Sequence, residues 1–329
     1  MYVKQPKLLE VKGLKKHFNV SEGFFKREKK YLYAVDGIDF FVKEGETLGI
    51  VGESGSGKST TGNLIVQLID PTEGQIIFDG VDLTTLSKKE LRRKRADLQL
   101  IFQDPYSSLN PRMKVFDLIA EPLRTHQKLS SEQLHNQIVE LMELVGLNPI
   151  YMNRYPHQFS GGQRQRIGIA RAIALHPKLI VCDEPVSALD VSIQSQILNL
   201  LVKLQKELNL TYIFIAHGLP VVKHISDRIA VMYLGKIVEL ATKEQLFKNP
   251  KHPYTEGLMA AIPIPDPMLR DSKNEQLIEG DIPNPVNPPR GCPFHTRCKY
   301  AVDICKDELP VFQEKEKEHF VACHLVNKQ

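Results

Sequence analysis

No stretch of this 329-residue chain offers the run of about eighteen apolar residues that a helix needs to cross a bilayer. Its first residues, Met1 to Pro6, contain no apolar segment of a secretory signal. Neither sign of charge dominates. The 43 basic and 39 acidic residues leave a net charge of +4, too balanced to argue for a nucleic-acid partner. Cysteine is scarce, five in all, and no pair stands as C-x-x-C, so the usual zinc-knuckle spacing is missing. Together these absences lead us to expect a cytosolic chain that reaches a membrane only through partners. What is present is ample apolar material, 42% of residues, enough for a layered core and a smaller appended domain.

Residues 52–59 read Gly52-Glu53-Ser54-Gly55-Ser56-Gly57-Lys58-Ser59 and are followed by Thr60. They fit G-x-x-x-x-G-K-[ST], in which glycines let main-chain N–H groups wrap around the β and γ phosphates of a nucleotide. Lys58 supplies a point charge to those phosphates and Ser59 a hydroxyl for Mg²⁺. A short apolar run from Glu46 to Val51 precedes the loop and a helix-compatible stretch from Thr60 to Ile69 follows it. Strand, loop and helix in that order aim a helix N-terminus at the anion; the bland alternative is a glycine-rich turn.

A second apolar run, Leu179 to Cys182, reads as a buried parallel strand that delivers Asp183 and Glu184 at its C-terminal end. Asp183 is expected to hold Mg²⁺ and Glu184 to polarise an attacking water. The competing reading makes the two carboxylates caps of a helix starting near Ser192.

Phe159-Ser160-Gly161-Gly162-Gln163 resembles the signature of ATP-binding cassette (ABC) proteins, which other P-loop ATPases lack. The resemblance covers about residues 8–250. It implies a Q-loop glutamine at Gln103 that touches Mg²⁺ and the nucleophilic water, a D-loop at Ser187-Ala188-Leu189-Asp190, and a switch histidine at His217. It also implies that Ser160, Gly161, Gly162 and Gln163, at the start of a helix from about Gly162 to Leu175, complete the nucleotide site of an opposing subunit. Family members usually carry His-Asp at the switch, whereas Gly218 stands here. The adenine-stacking aromatic is best matched by Phe18, with Tyr31 and Tyr33 as competitors and an ordinary core phenylalanine as the plain alternative.

The implied fold is α/β: a RecA-like P-loop NTPase core with an N-terminal antiparallel β subdomain from Leu8 to about Val51 and a helical subdomain at about 105–175. A small cysteine-containing C-terminal extension completes it. The division falls at 1–250 for the ATPase domain and 251–329 for a proline-rich linker plus extension. Eight of the 21 prolines lie between Pro263 and Pro293, and a short helix is expected near Lys243 to Phe247. Of two basic runs, Lys26–Lys30 and Lys88–Arg95, the second reads as a solvated helix face, the other view being proximity to anionic lipid.

Asn249 to Thr255, Pro289 to Cys292 and Arg297-Cys298 resemble the C-terminal extension of peptide and nickel importers' ATPase subunits, and Pro185–Gln194 is similar to the F-type peptide permease subunit. The expected protein is therefore an ATP-hydrolysing subunit that energises peptide import from the cytoplasmic face of the membrane. Its implied partners are a second, related ATPase subunit, two permease subunits and an extracytoplasmic peptide-binding protein; a homodimer, a nickel or murein-peptide cargo, and a soluble ABC ATPase acting on DNA or the ribosome are the alternatives. Cys292, Cys298, Cys305 and Cys323 follow as C-x5-C-x6-C-x17-C, while Cys182 sits alone in an apolar strand. Four clustered thiols in a cytosolic protein favour a metal over disulfides. Wide spacing and the importer resemblance favour a [4Fe–4S] cluster, with Zn²⁺ and free thiols as alternatives.

Overall fold

The computed structural model describes residues 6–21, 29–104, 106–262 and 278–327. Residues 26–28 of the first basic run and 263–277 of the proline tract lie outside the described residues. The chain forms two compact units interleaved along the sequence.

The first unit takes residues 42–47 and 85–214. Its strands β6 (Leu98–Ile101), β7 (Leu179–Asp183) and β8 (Thr211–Ala216) lie in the order β8-β7-β6. β6 and β7 run parallel, with Leu98 opposite Leu179 and Ile101 opposite Cys182. All six residues of β8 and the first four of β7 are buried, as continuous apolar runs in parallel sheets require. Helices α3 (Val115–His126), α4 (Ser131–Leu144) and α5 (Gly161–Ile173) pack on one another, and α5 also meets α6 (Val191–Leu208). Leu118, Ile119, Leu123, Ile138, Met142 and Ile167 fill the space between the helices, a stripe recurring every three to four residues. The exposed helix α2 (Lys88–Lys94) buries no side chain, which makes it the solvated face expected of that basic run.

The second unit takes residues 8–41, 48–84 and 215–329. One sheet has the order β2-β1-β4-β5, from β1 (Lys7–Asn19), β2 (Tyr31–Lys43), β4 (Glu73–Phe78) and β5 (Val81–Asp82), with β4 antiparallel to β1 and to β5. The other runs β11-β12-β10-β9-β3. Here β3 (Thr47–Val51) is parallel to β9 (Arg228–Tyr233), whereas β10 (Lys236–Thr242) is antiparallel to β9. The strand before the P-loop thus leaves the antiparallel N-terminal group and enters a parallel pair, consistent with its five buried residues.

Four helices, α1 (Lys58–Ile65), α7 (Leu219–Ile225), α8 (Lys243–Lys248) and α9 (Pro253–Ala260), belong to this unit. α1 stops four residues short of the expected Ile69, because Gln67 takes a left-handed conformation at φ 55°. The C-terminal segment adds α10 (Ile304–Asp307) and a hairpin of β11 (Gln313–Glu316) and β12 (His319–Val321). β12 pairs with β10, with Glu239 opposite Val321 and Leu240 opposite Phe320. Among the described residues no helix is long and apolar enough to cross a membrane.

Candidate functional site

In the second unit the loop 52–57 links β3 to α1, and Gly57 is the helix N-cap at φ 100°. A Cβ at Gly52 would stand 2.1 Å from the Met232 carbonyl oxygen, and one at Gly57 2.1 Å from that of Ala34. Both positions therefore require glycine. The buried Lys58 donates through Nζ to the carbonyl oxygens of Gly52 (2.8 Å) and Glu53 (2.9 Å), drawing its charge across the loop. Ser59 and Thr60 occupy the first turn of α1, where N–H groups have no partner within a helix. The loop thus has the shape and donors of a phosphate cradle.

Phe18 lies near the end of β1, half-buried, with the Lys16 ammonium 5.1 Å from its ring centroid. It is not a core residue. Tyr33, its competitor, is engaged edge-on by His17 at 4.5 Å between centroids. His217 is exposed just after β8, and Gly218 is the N-cap of α7. That position explains the departure from His-Asp: both residue types are favoured at an N-cap, and glycine forgoes only the side-chain bond.

In the first unit Asp183 ends β7 and Glu184 follows, buried at 4% exposure and at φ 47°. Gln103 Nε2 donates to Glu184 Oε2 at 2.6 Å. The glutamine and carboxylate, 81 positions apart, are thus brought together. Asp190 occupies the N-cap position of α6, so Asp183 and Glu184 are not its caps.

The stretch Ser160 to Gln163 is a capping box. Ser160 Oγ accepts from the Gln163 N–H at 3.4 Å, and Gln163 Oε1 accepts from the Ser160 N–H at 3.0 Å. A Cβ at Gly162 would lie 2.5 Å from Ile193 Cγ2, and one at Gly161 3.2 Å from Leu189 Cδ2. The two glycines therefore allow α5 to start hard against Leu189 and the beginning of α6.

The tail thiols also draw together. Burial pushes the Cys292 thiol up to about 12, against an amide hydrogen bond from Phe294, and the charges of Cys305, Cys323 and Cys298 add to the rise. Burial likewise raises Cys298 and Cys323; backbone N–H groups of Tyr300, and of Leu325 and Val326, donate to their sulfurs. Among the described residues no group of three or more His, Cys, Asp or Glu side chains is poised as a metal site. Cys182 is fully buried, and burial raises its thiol, as befits a small apolar core residue.

Nothing in the sequence signals that three residues lie beside the P-loop, although two of them, Tyr254 and Arg297, fall in the segments that resemble the importer extension. Arg297, Tyr254 and Tyr233 gather around Glu53 of the P-loop, and only Pro253, favoured at the first position of a helix, gave any local sign of α9.

A phosphate cradle in one unit and a capped signature helix in the other, with a carboxylate held by a Q-loop glutamine, define an ATP-binding cassette ATPase. The ABC transporter family profile matches residues 35–187, and that of the oligopeptide/dipeptide transporter C-terminal region matches 238–305. The oligopeptide transport ATP-binding protein AppF of Bacillus subtilis is 52% identical, over 98% of each chain. OppF of Salmonella typhimurium is 55% identical over 97% of this chain and 96% of that protein. A dimeric ATP-binding cassette in a post-hydrolysis state with ADP and Pi superposes with a TM-score of 0.63 at 31% identity, over 71% of this chain and 98% of that one. The chain belongs to the oligopeptide transport ATP-binding proteins of the ABC transporter family.

Proposed function

We propose that the chain is the ATP-hydrolysing subunit of a peptide importer, working at the cytoplasmic face of the membrane. The observation that carries this reading is the pairing, in one chain, of the cassette motifs with a tail of the oligopeptide/dipeptide transporter type. Its partners are a second, related ATPase subunit, two permease subunits and, through the complex, an extracytoplasmic peptide-binding protein. The cassette spans 1–250 and the extension 251–329.

Residues 52–60 hold the triphosphate, with Lys58 countering its charge, and Phe18 stacks on adenine. Ser59, Gln103 and Asp183 hold Mg²⁺, which when bound neutralises charge developing on the phosphate oxygens. Glu184, fixed by Gln103, orients water for in-line attack on the γ-phosphorus, and His217 contacts that phosphate. Ser160, Gly161, Gly162 and Gln163 present amides to ATP held by the partner, with Asp190 beside the dimer seam. The four tail thiols hold a [4Fe–4S] cluster that staples an extension too small for a core of its own, Zn²⁺ being the alternative occupant.

The test is peptide-stimulated ATP hydrolysis by the complex assembled in a membrane. Glu184→Gln should leave ATP binding intact and cut turnover by about 10²-fold or more, the usual contribution of a general base. Residual hydrolysis above about a tenth of wild type would overturn the role of Glu184. Stimulation by nickel and not by peptides would overturn the cargo.

A further inference from the structure

Glu53, the second residue of the P-loop, is gripped by the C-terminal segment at three atoms. Arg297 Nη1 donates to Glu53 Oε2 at 2.7 Å and Nη2 to Oε1 at 3.1 Å, a two-pronged pair. The Glu53 N–H donates to Tyr254 Oη at 2.9 Å. This is no loose surface contact: the Arg297 side chain is 6% exposed and that of Glu53 27%. The guanidinium also donates from Nε toward the Glu279 carbonyl oxygen at 3.3 Å and from Nη1 toward Tyr233 Oη at 3.5 Å.

The arginine is presented by a rigid mount. It ends the single turn His295–Arg297, between Cys292 and Cys298. The N–H groups of His295 and Arg297 donate to the carbonyl oxygens of Cys292 and Phe294, both at 3.0 Å. Phe294 packs against Tyr233 and Tyr254 with ring centroids 5.2 and 5.3 Å away. A guanidinium held this way spends little conformational entropy on reaching its carboxylate.

Glu53 is where that grip meets the phosphate loop. Its carbonyl oxygen accepts from Lys58 Nζ and from the Ser56 N–H, so the same residue shapes the turn that must close around phosphates. Its carboxylate is also an anion at the start of a loop built to receive a polyanion, and unpaired it would oppose the ligand. We propose that Arg297 is a positioning residue of the ATP site: by pairing with Glu53 it cancels a charge at the start of the P-loop that would repel the triphosphate. The inference rests on reading residues 52–60 as an ATP-binding loop. It makes the C-terminal extension part of the nucleotide site and not merely an appendage.

A purely structural tether and an electrostatic one differ in a double substitution. Binding of a fluorescent ATP analogue to the intact chain is measured for wild type, Arg297→Gln, Glu53→Gln and both together. Arg297→Gln should raise Kd about tenfold, equivalent to ~1.4 kcal/mol. Adding Glu53→Gln should bring Kd back to within about threefold of wild type, since no charge is then left unpaired. A Kd for Arg297→Gln within about twofold of wild type, or a double variant as weak as the single one, would overturn the proposal. Should Arg297→Gln fail to fold, Arg297→Lys, which keeps the charge but loses the fork, should hold Kd within about threefold of wild type, and a Kd weaker by about tenfold would overturn the proposal. Lys58→Ala separates the two readings: normal ATP binding by that variant removes the phosphate-loop assignment and this inference with it, whereas loss there beside an unaffected Arg297→Gln removes this inference alone.

Discussion

Glu184 holds a backbone conformation, φ 47°, that side chains bearing a Cβ seldom adopt. Strain of this kind persists where surrounding contacts over-determine it, and here burial and the bond from Gln103 do so. His252 is fixed differently. Its Nδ1 accepts from the Tyr254 N–H at 3.1 Å and its main-chain N–H donates to Glu239 Oε2 at 3.0 Å. Burial pulls its imidazole down to about 4, partly opposed by the Glu239 charge. A folded value below the unfolded 6.5 means that the fold favours neutral His252. Its contribution is present above pH 6.5 and is lost as pH falls toward about 4, on the order of 3 kcal/mol in full. His252→Asn retains an acceptor for the Tyr254 N–H and should flatten the fall in thermal midpoint between pH 6.5 and 4.5. An unchanged slope would refute the assignment.

Among the elements, α5 shows how a motif can be a helix start first and a recognition device second. Ser160 and Gln163 satisfy each other's amides, and the glycines between them permit contact with the start of α6. Ser160→Arg removes one half of the capping box, a loss of about 1 kcal/mol in helix stability. If the signature completes a partner's site as proposed, the arginine fills that site's phosphate position, so the variant should leave ATP affinity of the isolated subunit unchanged while abolishing hydrolysis in the assembled complex. Equal loss of affinity in the isolated subunit would sink the shared-site reading. These local units were legible because each is written in consecutive residues: the loop 52–60, the run 179–184, the box 160–163. What stayed hidden joins distant positions. The strand β11, Gln313-Glu-Lys-Glu316, has no apolar alternation to announce it. Arg297 finds Glu53 across 244 positions, and no periodicity encodes such a pairing.

For the molecule as a whole, the tail is tied into the second unit at several independent places. β12 pairs with β10, and the fully buried His319 bonds Glu239 at 2.7 Å through Nε2. Lys251 closes on Glu316 at 2.8 Å. If the tail thiols hold the proposed cluster, damage to it should therefore be felt beyond the tail. Cys298→Ser is expected to bleach the absorbance near about 400 nm of anaerobically purified protein and to lower its thermal midpoint in a single transition. Stoichiometric zinc with no iron in the wild type would decide for the other metal. A separate low-temperature transition for the tail would show that it folds apart.

The order in which the chain is made gives the β10–β12 pairing a further meaning. Strand β10 is complete once residue 242 has been synthesised, but the neighbour on its far side is not made until residues 319–321. For the intervening stretch of translation the nascent sheet carries an open, apolar edge, the kind that recruits other chains. Closure arrives with a hairpin whose outer strand is Gln-Glu-Lys-Glu, a charged rim poorly suited to further pairing. A chain interrupted between these points would leave the β10 edge without the partner strand that β12 supplies.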